Sequence, residues 1–288
     1  SKANAAFEAV DEEIARIEAL ISSWKATSQT SEINRQAGKQ PVKVDQELFD
    51  LLYRSIKISQ LTSGAYDPTY AGLLKIWNID SVMQATPDSG LVAASVALVG
   101  YERMVMNAAE HSVFLPEQGM KIGFGGIGKG YAADRAKLLL QNLGISAGVV
   151  NAGGDLISWG IQPNGSPWRI SIADPIKPHQ ILATLQISNK AVVTSGNYER
   201  FIEINGKRYA HILDPRTGWP VAGLKSVTIV TSIAEFADAL ATSIFVMGEL
   251  DGLALVEQLT GVECLIVTDD NRMISSSGLD LKELGNRD

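Results

Sequence analysis

Three stretches of this sequence hold residue types whose spacing could do chemistry. In the first, Gly123-Phe124-Gly125-Gly126-Ile127-Gly128-Lys129-Gly130, four of the six residues from Gly123 to Gly128 are glycine. It lies between a short apolar strand and a helix whose apolar positions are expected at Tyr131, Leu138, Leu139 and Leu143. Glycines that turn a strand into a helix present bare backbone N–H groups at a helix N-terminus, which is an anion site and most often one for phosphate. Gly123, Gly125 and Gly128 satisfy G-x-G-x-x-G, and a strand at 148–151 would complete a βαβ unit of about 30 residues. The acid that should bind a ribose is misplaced, since Asp134 comes too early and Asp155 too late. Gly123 to Lys129 also spells G-x-x-x-x-G-K, but Gly130 stands where a P-loop needs Ser or Thr for Mg²⁺. A tight turn with no ligand is the plain alternative.

The second stretch is Tyr209-Ala210-His211-Ile212-Leu213-Asp214-Pro215-Arg216-Thr217-Gly218-Trp219-Pro220. His111 and His179 sit in polar, turn-like contexts and are expected to be exposed. A lone strand histidine is more often structural than catalytic, but His211 ends a strand and precedes Arg216, Thr217 and Gly218, groups able to hold a phosphate or ribose, which shifts the balance toward a site. In the third stretch, Asp238 and Thr242 stand four residues apart on a predicted helix over 234–246, so they share a face. That helix is rich in alanine, and an acid buried there needs a partner. A Mg²⁺ ion would be one, and a carboxylate facing water is the alternative. There is no His/Cys cluster, so a metal would be a hard cation on oxygen ligands.

The elements that must position these residues follow from periodicity. Phe7, Val10, Ile14, Ile17, Ile21 and Trp24 predict a helix over 3–24 with one apolar seam. Trp24 at its end could pack in the core or leave it for a pocket. After a polar segment at 25–40, Asp45 is expected to cap a second helix that ends at Ser63-Gly64. Asp67-Pro68 then predicts a third helix start. A short apolar helix over 89–99 and a hairpin from 101–106 and 112–115 lead into the glycine stretch. Beyond Ile157 strands dominate, with Asn164-Gly165 as a turn and Asn205-Gly206 as a hairpin signal. Two helices, 234–246 and 253–259, and two last strands complete the pattern, which points to α+β.

The chain has 288 residues, 45% hydrophobic and 20% charged, with a net charge of −7. No basic run appears, which argues against a nucleic-acid surface and requires any phosphate recognition to be local. Cys264 is the only cysteine, and its apolar strand context predicts a buried, inert thiol. The longest apolar run, 91–99, falls far short of the roughly 20 residues that span a bilayer. No signal peptide opens the sequence, so the protein is either cytosolic or separated from a targeting segment.

Seven stretches in order make the chain resemble the ApbE family of FAD:protein FMN transferases over nearly its full length. They are Ile21-Ser22-Ser23-Trp24 with Ser31-Glu32-Ile33-Asn34; Ala65-Tyr66-Asp67-Pro68-Thr69; Gly125 to Asp134; Asn151-Ala152-Gly153-Gly154-Asp155; Thr194-Ser195-Gly196-Asn197-Tyr198-Glu199-Arg200; His211 to Gly218; and Ala237-Asp238-Ala239-Leu240-Ala241-Thr242. The resemblance implies an α+β, T-fold-like architecture with mixed or antiparallel sheets and packed helices. It implies one ApbE-like domain over 1–288, open to division into two subdomains sharing an FAD cleft. The implied reaction is Mg²⁺-dependent transfer of FMN from FAD to a Thr or Ser hydroxyl of an acceptor protein, releasing AMP. Hydrolysis of FAD to FMN and AMP, or flavin binding without catalysis, are the alternatives. The implied setting is periplasmic, outside the cytoplasmic membrane, with any membrane attachment through an N-terminal lipid anchor absent from this chain.

Carried over residue by residue, Trp24 and Tyr66 would flank the flavin or adenine rings, and Gly125, Lys129 and Tyr131 would line the pyrophosphate. Ala65, Asp67, Asp155, Ser195, Ile212, Arg216 and Thr217 complete the implied cofactor set. Asp238 and Thr242, with the Gly128 carbonyl, would hold the metal, and His211 would be the catalytic base. Two features depart from the pattern. Gly123 stands where many members carry Asp, and the family's opening strand with its Met-Gly-Thr motif is missing from this chain.

Overall fold

The structure, a computed structural model, describes residues 2–77, 83, 85–177, 179–198, 201–204, 206–281 and 283–284. The chain forms two compact units. Its first helix, α1 (Lys2–Ile21), is followed by α2 (Gln29–Gln36), α3 (Gln46–Leu61), α4 (Leu74–Trp77), α5 (Ser89–Val96), α6 (Gly128–Asn142), α7 (Ala234–Met247) and α8 (Glu249–Val256). The strands are β1 (Val42–Lys43), β2 (Val105–Asn107), β3 (Ser112–Phe114), β4 (Gly148–Ala152), β5 (Asp155–Trp159), β6 (Trp168–Ala173) and β7 (Ile181–Ile187). They continue with β8 (Ala191–Gly196), β9 (Phe201–Ile204), β10 (Lys207–Ala210), β11 (Leu224–Thr231), β12 (Glu263–Thr268), β13 (Met273–Ser275) and β14 (Glu283–Leu284).

The sheet unit comprises Ser1–Glu13, Ile127–Glu199 and Gly223–Asp288. Its six-stranded sheet runs β13-β12-β11-β8-β5-β4, with every pairing antiparallel. One face packs on a three-stranded sheet, β14-β7-β6, through Ile170, Ile172, Leu182, Leu185, Val192, Val230, Leu265 and Val267. The other face carries α6 and α7. This topology removes the dinucleotide-fold reading. That reading needs parallel strands on both sides of the glycine turn, whereas β4 pairs antiparallel with β5 and Lys121 makes only an isolated bridge to Tyr70.

The helical unit comprises Ile14–Gly126 and Arg200–Ala222. Leu48, Leu51 and Leu52 of α3 are fully buried, and Ile56 is half-buried. The hairpin of β2 and β3 forms, but its first strand starts only at Val105 because Tyr101–Arg103 make a 3-10 turn in place of the expected strand, and β1 is added at the β3 edge. A second core gathers Leu73, Trp77, Ile202, Ile204 and Leu213 around the β9–β10 hairpin. Asn205 of that hairpin signal, and Glu199 and Arg200 of the fifth matching stretch, lie outside the described residues.

Several local expectations are corrected. Helix α1 stops at Ile21, and its buried positions are Ala6, Ile17 and Leu20, which leaves Phe7 71% exposed. The polar segment after it contains α2, because the Ser28 hydroxyl accepts from Ser31 N–H at 3.0 Å as an N-cap and Ile33 is buried. Asp45 occupies the N-cap of α3, but its carboxylate accepts from Gln29 Nε2 at 2.8 Å and makes no cap bond. Asp67-Pro68 opens an Asx turn and no helix: Asp67 Oδ1 accepts from the Thr69 N–H at 2.8 Å and its hydroxyl at 2.6 Å. Helix α8 starts at Glu249, ahead of the expected 253. In α6, Leu138 and Leu143 are exposed and the buried face is made of Gly130, Tyr131, Ala133 and Ala136. His111 is half-buried, its ring 5.7 Å from that of Phe49, while His179 is exposed as expected.

Cys264 on β12 is buried, and burial pushes its thiol up to about 11. The folded value lies above the unfolded one of about 8.5, so the unfolded chain loses its proton first. This residue's contribution to stability is intact below about pH 8.5 and is lost as pH rises toward 11. Native protein at pH 8 is expected to resist a thiol-reactive dye for hours and to label within minutes in denaturant. Rapid labelling of the native protein would place the thiol at the surface.

Candidate active site

In the sheet unit the chemistry converges on the starts of two helices. Asp238 is 2% exposed, so a water-facing carboxylate is excluded, and its Oδ2 accepts the Gly130 N–H at 3.0 Å. Asp155, at the start of β5, is 0% exposed. Its Oδ1 accepts from Lys129 Nζ at 2.9 Å, and its Oδ2 receives no fixed donor. Burial raises the Asp238 carboxyl well above the usual range and the negative Asp155 raises it further; Lys129 and Gly130 oppose the shift. Burial also raises Asp155, against the pull of Lys129. Burial of both groups favours the protonated form most strongly at Asp238, and Lys129 offsets the charge of Asp155.

Thr242 lies one turn beyond Asp238, its hydroxyl 3.4 Å from that of Ser195 on β8. Asp155, Asp238, Thr242, Ser195 and Lys129 are thereby brought together from four elements. Among the described residues no three His, Cys, Asp or Glu side chains group as a metal site. The two carboxylates and the Thr242 hydroxyl are all hard oxygen donors, the set that suits Mg²⁺ or Ca²⁺ and leaves positions for carbonyl, water or phosphate oxygens.

The geometry depends on Gly130. A Cβ there would overlap the Ala234 carbonyl oxygen and lie 2.5 Å from its carbon and 2.9 Å from Asp238 Cβ. Only glycine lets α6 approach α7 closely enough for its backbone N–H to reach Asp238. Gly128 and Lys129 stand in the first turn of α6, whose N-cap residue Ile127 supplies no side-chain bond. Such an end favours an anion.

In the helical unit, His211 follows β10 directly and is half-buried. The loop beyond it is tightly built. Asp214 O accepts from Gly218 N–H at 2.7 Å, Trp77 Nε1 donates to Gly218 O at 2.7 Å, and Gly218 has φ +75°. Arg216 forks onto Asp214 with two 2.9 Å bonds, and Thr217 Oγ1 accepts from Trp219 N–H at 3.3 Å. Ile212 is buried. A cavity of about 530 Å³ brings Asp67 and Arg216 together with Tyr101, Val96 and Val99. Burial raises the Asp67 carboxyl, and its hydrogen bonds to Thr69 and the Tyr101 N–H pull it back.

Trp24 is 76% exposed, so it is no core residue. Tyr66 is the reverse: it is 2% exposed, with its hydroxyl 3.5 Å from Ser55 Oγ, so its ring packs inside the unit. Ala65 and Tyr131 are likewise buried, whereas Gly125 is exposed and closely faced by Tyr70. Sequence reasoning missed Gly130, Trp77 and the Asp155–Asp238 pairing. The signal for Gly130 was its place in the first turn of a helix, where alanine would otherwise serve.

An antiparallel α+β fold with a buried acid pair, balanced by lysine at a glycine-opened helix start, defines a protein built to hold charge away from water. The chain belongs to the ApbE family, whose model matches residues 2–266. It is 33% identical over 266 residues to an FAD:protein FMN transferase of Klebsiella pneumoniae, covering 92% of this chain and 82% of that protein. A Treponema pallidum protein of the same name is 32% identical over 294 residues, covering 97% and 81%. Among solved structures, the ApbE protein of Thermotoga maritima superposes with a TM-score of 0.89 at 33% identity, over 95% of this chain and 89% of that one. The flavin transferase ApbE of Vibrio cholerae gives 0.86 at 27%, over 95% and 89%.

Gly130→Ala is expected to lower the unfolding free energy by at least about 3 kcal/mol, the upper part of the overpacking range, because backbone and not a flexible side chain stands in the way. Chemical denaturation measures it. Unchanged stability would mean that α6 and α7 can separate at little cost.

Proposed function

We propose that this protein is an FAD:protein FMN transferase that moves FMN from FAD to a Thr or Ser hydroxyl of an acceptor protein and releases AMP, with Mg²⁺ bound. The observation that carries this reading is the Asp155–Asp238–Thr242 oxygen set beside Lys129, in a chain about one third identical to FAD:protein FMN transferases over most of its length. Asp238, Thr242 and the Gly128 carbonyl would hold the metal, with Asp155 beside them. Mg²⁺ when bound supplies positive charge against the pyrophosphate oxygens.

In the reaction the acceptor hydroxyl oxygen forms a bond to the phosphorus that bears riboflavin, and the bond from that phosphorus to the oxygen of AMP breaks. The hydroxyl proton passes to His211, acting as base. Lys129 and the glycine N–H groups meet the charge that grows on the departing phosphate. Trp24 stacks on a ring of FAD. Ile212, Arg216, Thr217, Ser195 and Tyr66 are assigned to FAD by the family resemblance alone. The acceptor is a protein exposing a Thr or Ser, and the setting is periplasmic.

Incubation with FAD and Mg²⁺, with and without a threonine-bearing acceptor, tests the reading. AMP together with covalent flavin on the acceptor is expected. AMP without flavinylated acceptor would make the protein a hydrolase, and no AMP at all would reject both. His211→Ala is expected to reduce transfer by about 10²–10⁴-fold with FAD still bound; full-rate transfer would remove the base assignment. Trp24→Ala is expected to weaken FAD by about 1–3 kcal/mol, by analogy with base–aromatic stacking. Unchanged affinity in a calorimetric titration would release Trp24 from that role.

A further inference from the structure

Neither of the two helices that build the acid site caps itself. Ile127 and Ile233 occupy the N-cap positions of α6 and α7, and neither can accept a hydrogen bond through its side chain. Ser, Thr, Asp or Asn would normally stand there. The missing acceptors come from the opposite helix. Asp134 of α6 receives the Ala234 N–H on Oδ1 at 3.1 Å and the Glu235 N–H on Oδ2 at 2.8 Å. Asp238 of α7 receives the Gly130 N–H. Each helix start is thus closed by an acid of the other, with Gly130 against Ala234 between the two closures.

The two acids are not equivalent. Asp238 lies within reach of Asp155 and Lys129, whereas Asp134 grips the first turn of α7 one turn before Asp238 and two before Thr242. Residues four apart share a helix face, so rotation or sliding of α7 about its axis carries both oxygen donors with it. The close approach of Gly130 to Ala234 resists rotation weakly by itself, because small residues present smooth surfaces. A bidentate carboxylate on two successive N–H groups is directional and fixes both rotation and register.

We propose that Asp134 is a positioning residue for divalent-cation binding: by clamping the first turn of α7 it sets where Asp238 and Thr242 stand relative to Asp155. This rests on the metal assignment of the proposed function, and it adds a residue that touches neither metal nor flavin.

The test is Mn²⁺ binding to the full chain, followed by electron paramagnetic resonance of the free ion, beside FAD affinity and melting temperature. Asp134→Ala removes both acceptors and is expected to raise the Mn²⁺ Kd about tenfold or more while FAD affinity stays within about threefold. Asp134→Asn keeps one acceptor oxygen and is expected to fall between, near threefold. Leu265→Ala, in the core on the far face of the sheet, serves as the control for simple destabilisation and is expected to lower the melting temperature with Mn²⁺ binding unchanged.

An unchanged Kd in Asp134→Ala, or equal weakening in Leu265→Ala at a matched loss of melting temperature, overturns the inference. If Asp134→Ala does not fold, Asp134→Asn decides: a Kd equal to that of the parent overturns it. Failure of the parent protein to bind Mn²⁺ removes the metal assignment itself, an outcome distinct from a parent that binds and a variant that binds as well.

Discussion

The contact between Gly130 and Ala234 is the constraint on which the acid site rests. A helix pair separated by ordinary side chains keeps its axes 8–10 Å apart, and no backbone N–H of one could then reach a carboxylate near the start of the other. Removing one Cβ brings the starts of α6 and α7 together. From that approach follow the Gly130–Asp238 bond, the Asp134 clamp and the burial of Asp238 beside Asp155. The alanines of α7 serve the same end, since bulkier residues would push the acid pair apart.

Burying two carboxylates is costly, and the structure limits the cost without cancelling it. Lys129 neutralises Asp155, and Gly130 donates to Asp238. One buried oxygen, Asp155 Oδ2, still lacks a fixed donor. A site evolved only for stability would replace such a pair with apolar residues of similar size. A buried acid pair with shifted carboxyls is a candidate functional site.

The helical unit prepares its surface by a different device. Trp77 lies within hydrogen-bonding reach of the Asp214–Gly218 turn and packs on Tyr209 and Trp219. Gly218 gives the turn its left-handed residue, with Val92 and Val96 pressed against it. His211 is therefore carried between a strand end and a rigid turn. Trp24, by contrast, stands out from the surface on a short bend after α1.

Much was legible in the sequence because it is local. The strands beyond Ile157, the hairpins, α3 and α7 follow from periodicity and turn residues, and the family from seven short motifs in order. Sharing of a helix face by Asp238 and Thr242 needed only the helical repeat. What tertiary structure alone decided lies between segments far apart in the chain. That Asp155 meets Asp238, that Asp134 caps a helix 100 residues away, and that Tyr66 turns inward while Trp24 turns out depend on which surfaces pack together. The antiparallel pairing of β4 with β5 likewise overruled a glycine pattern that reads as a dinucleotide fold, because a pattern of glycines specifies a turn and only strand pairing specifies the sheet that follows it.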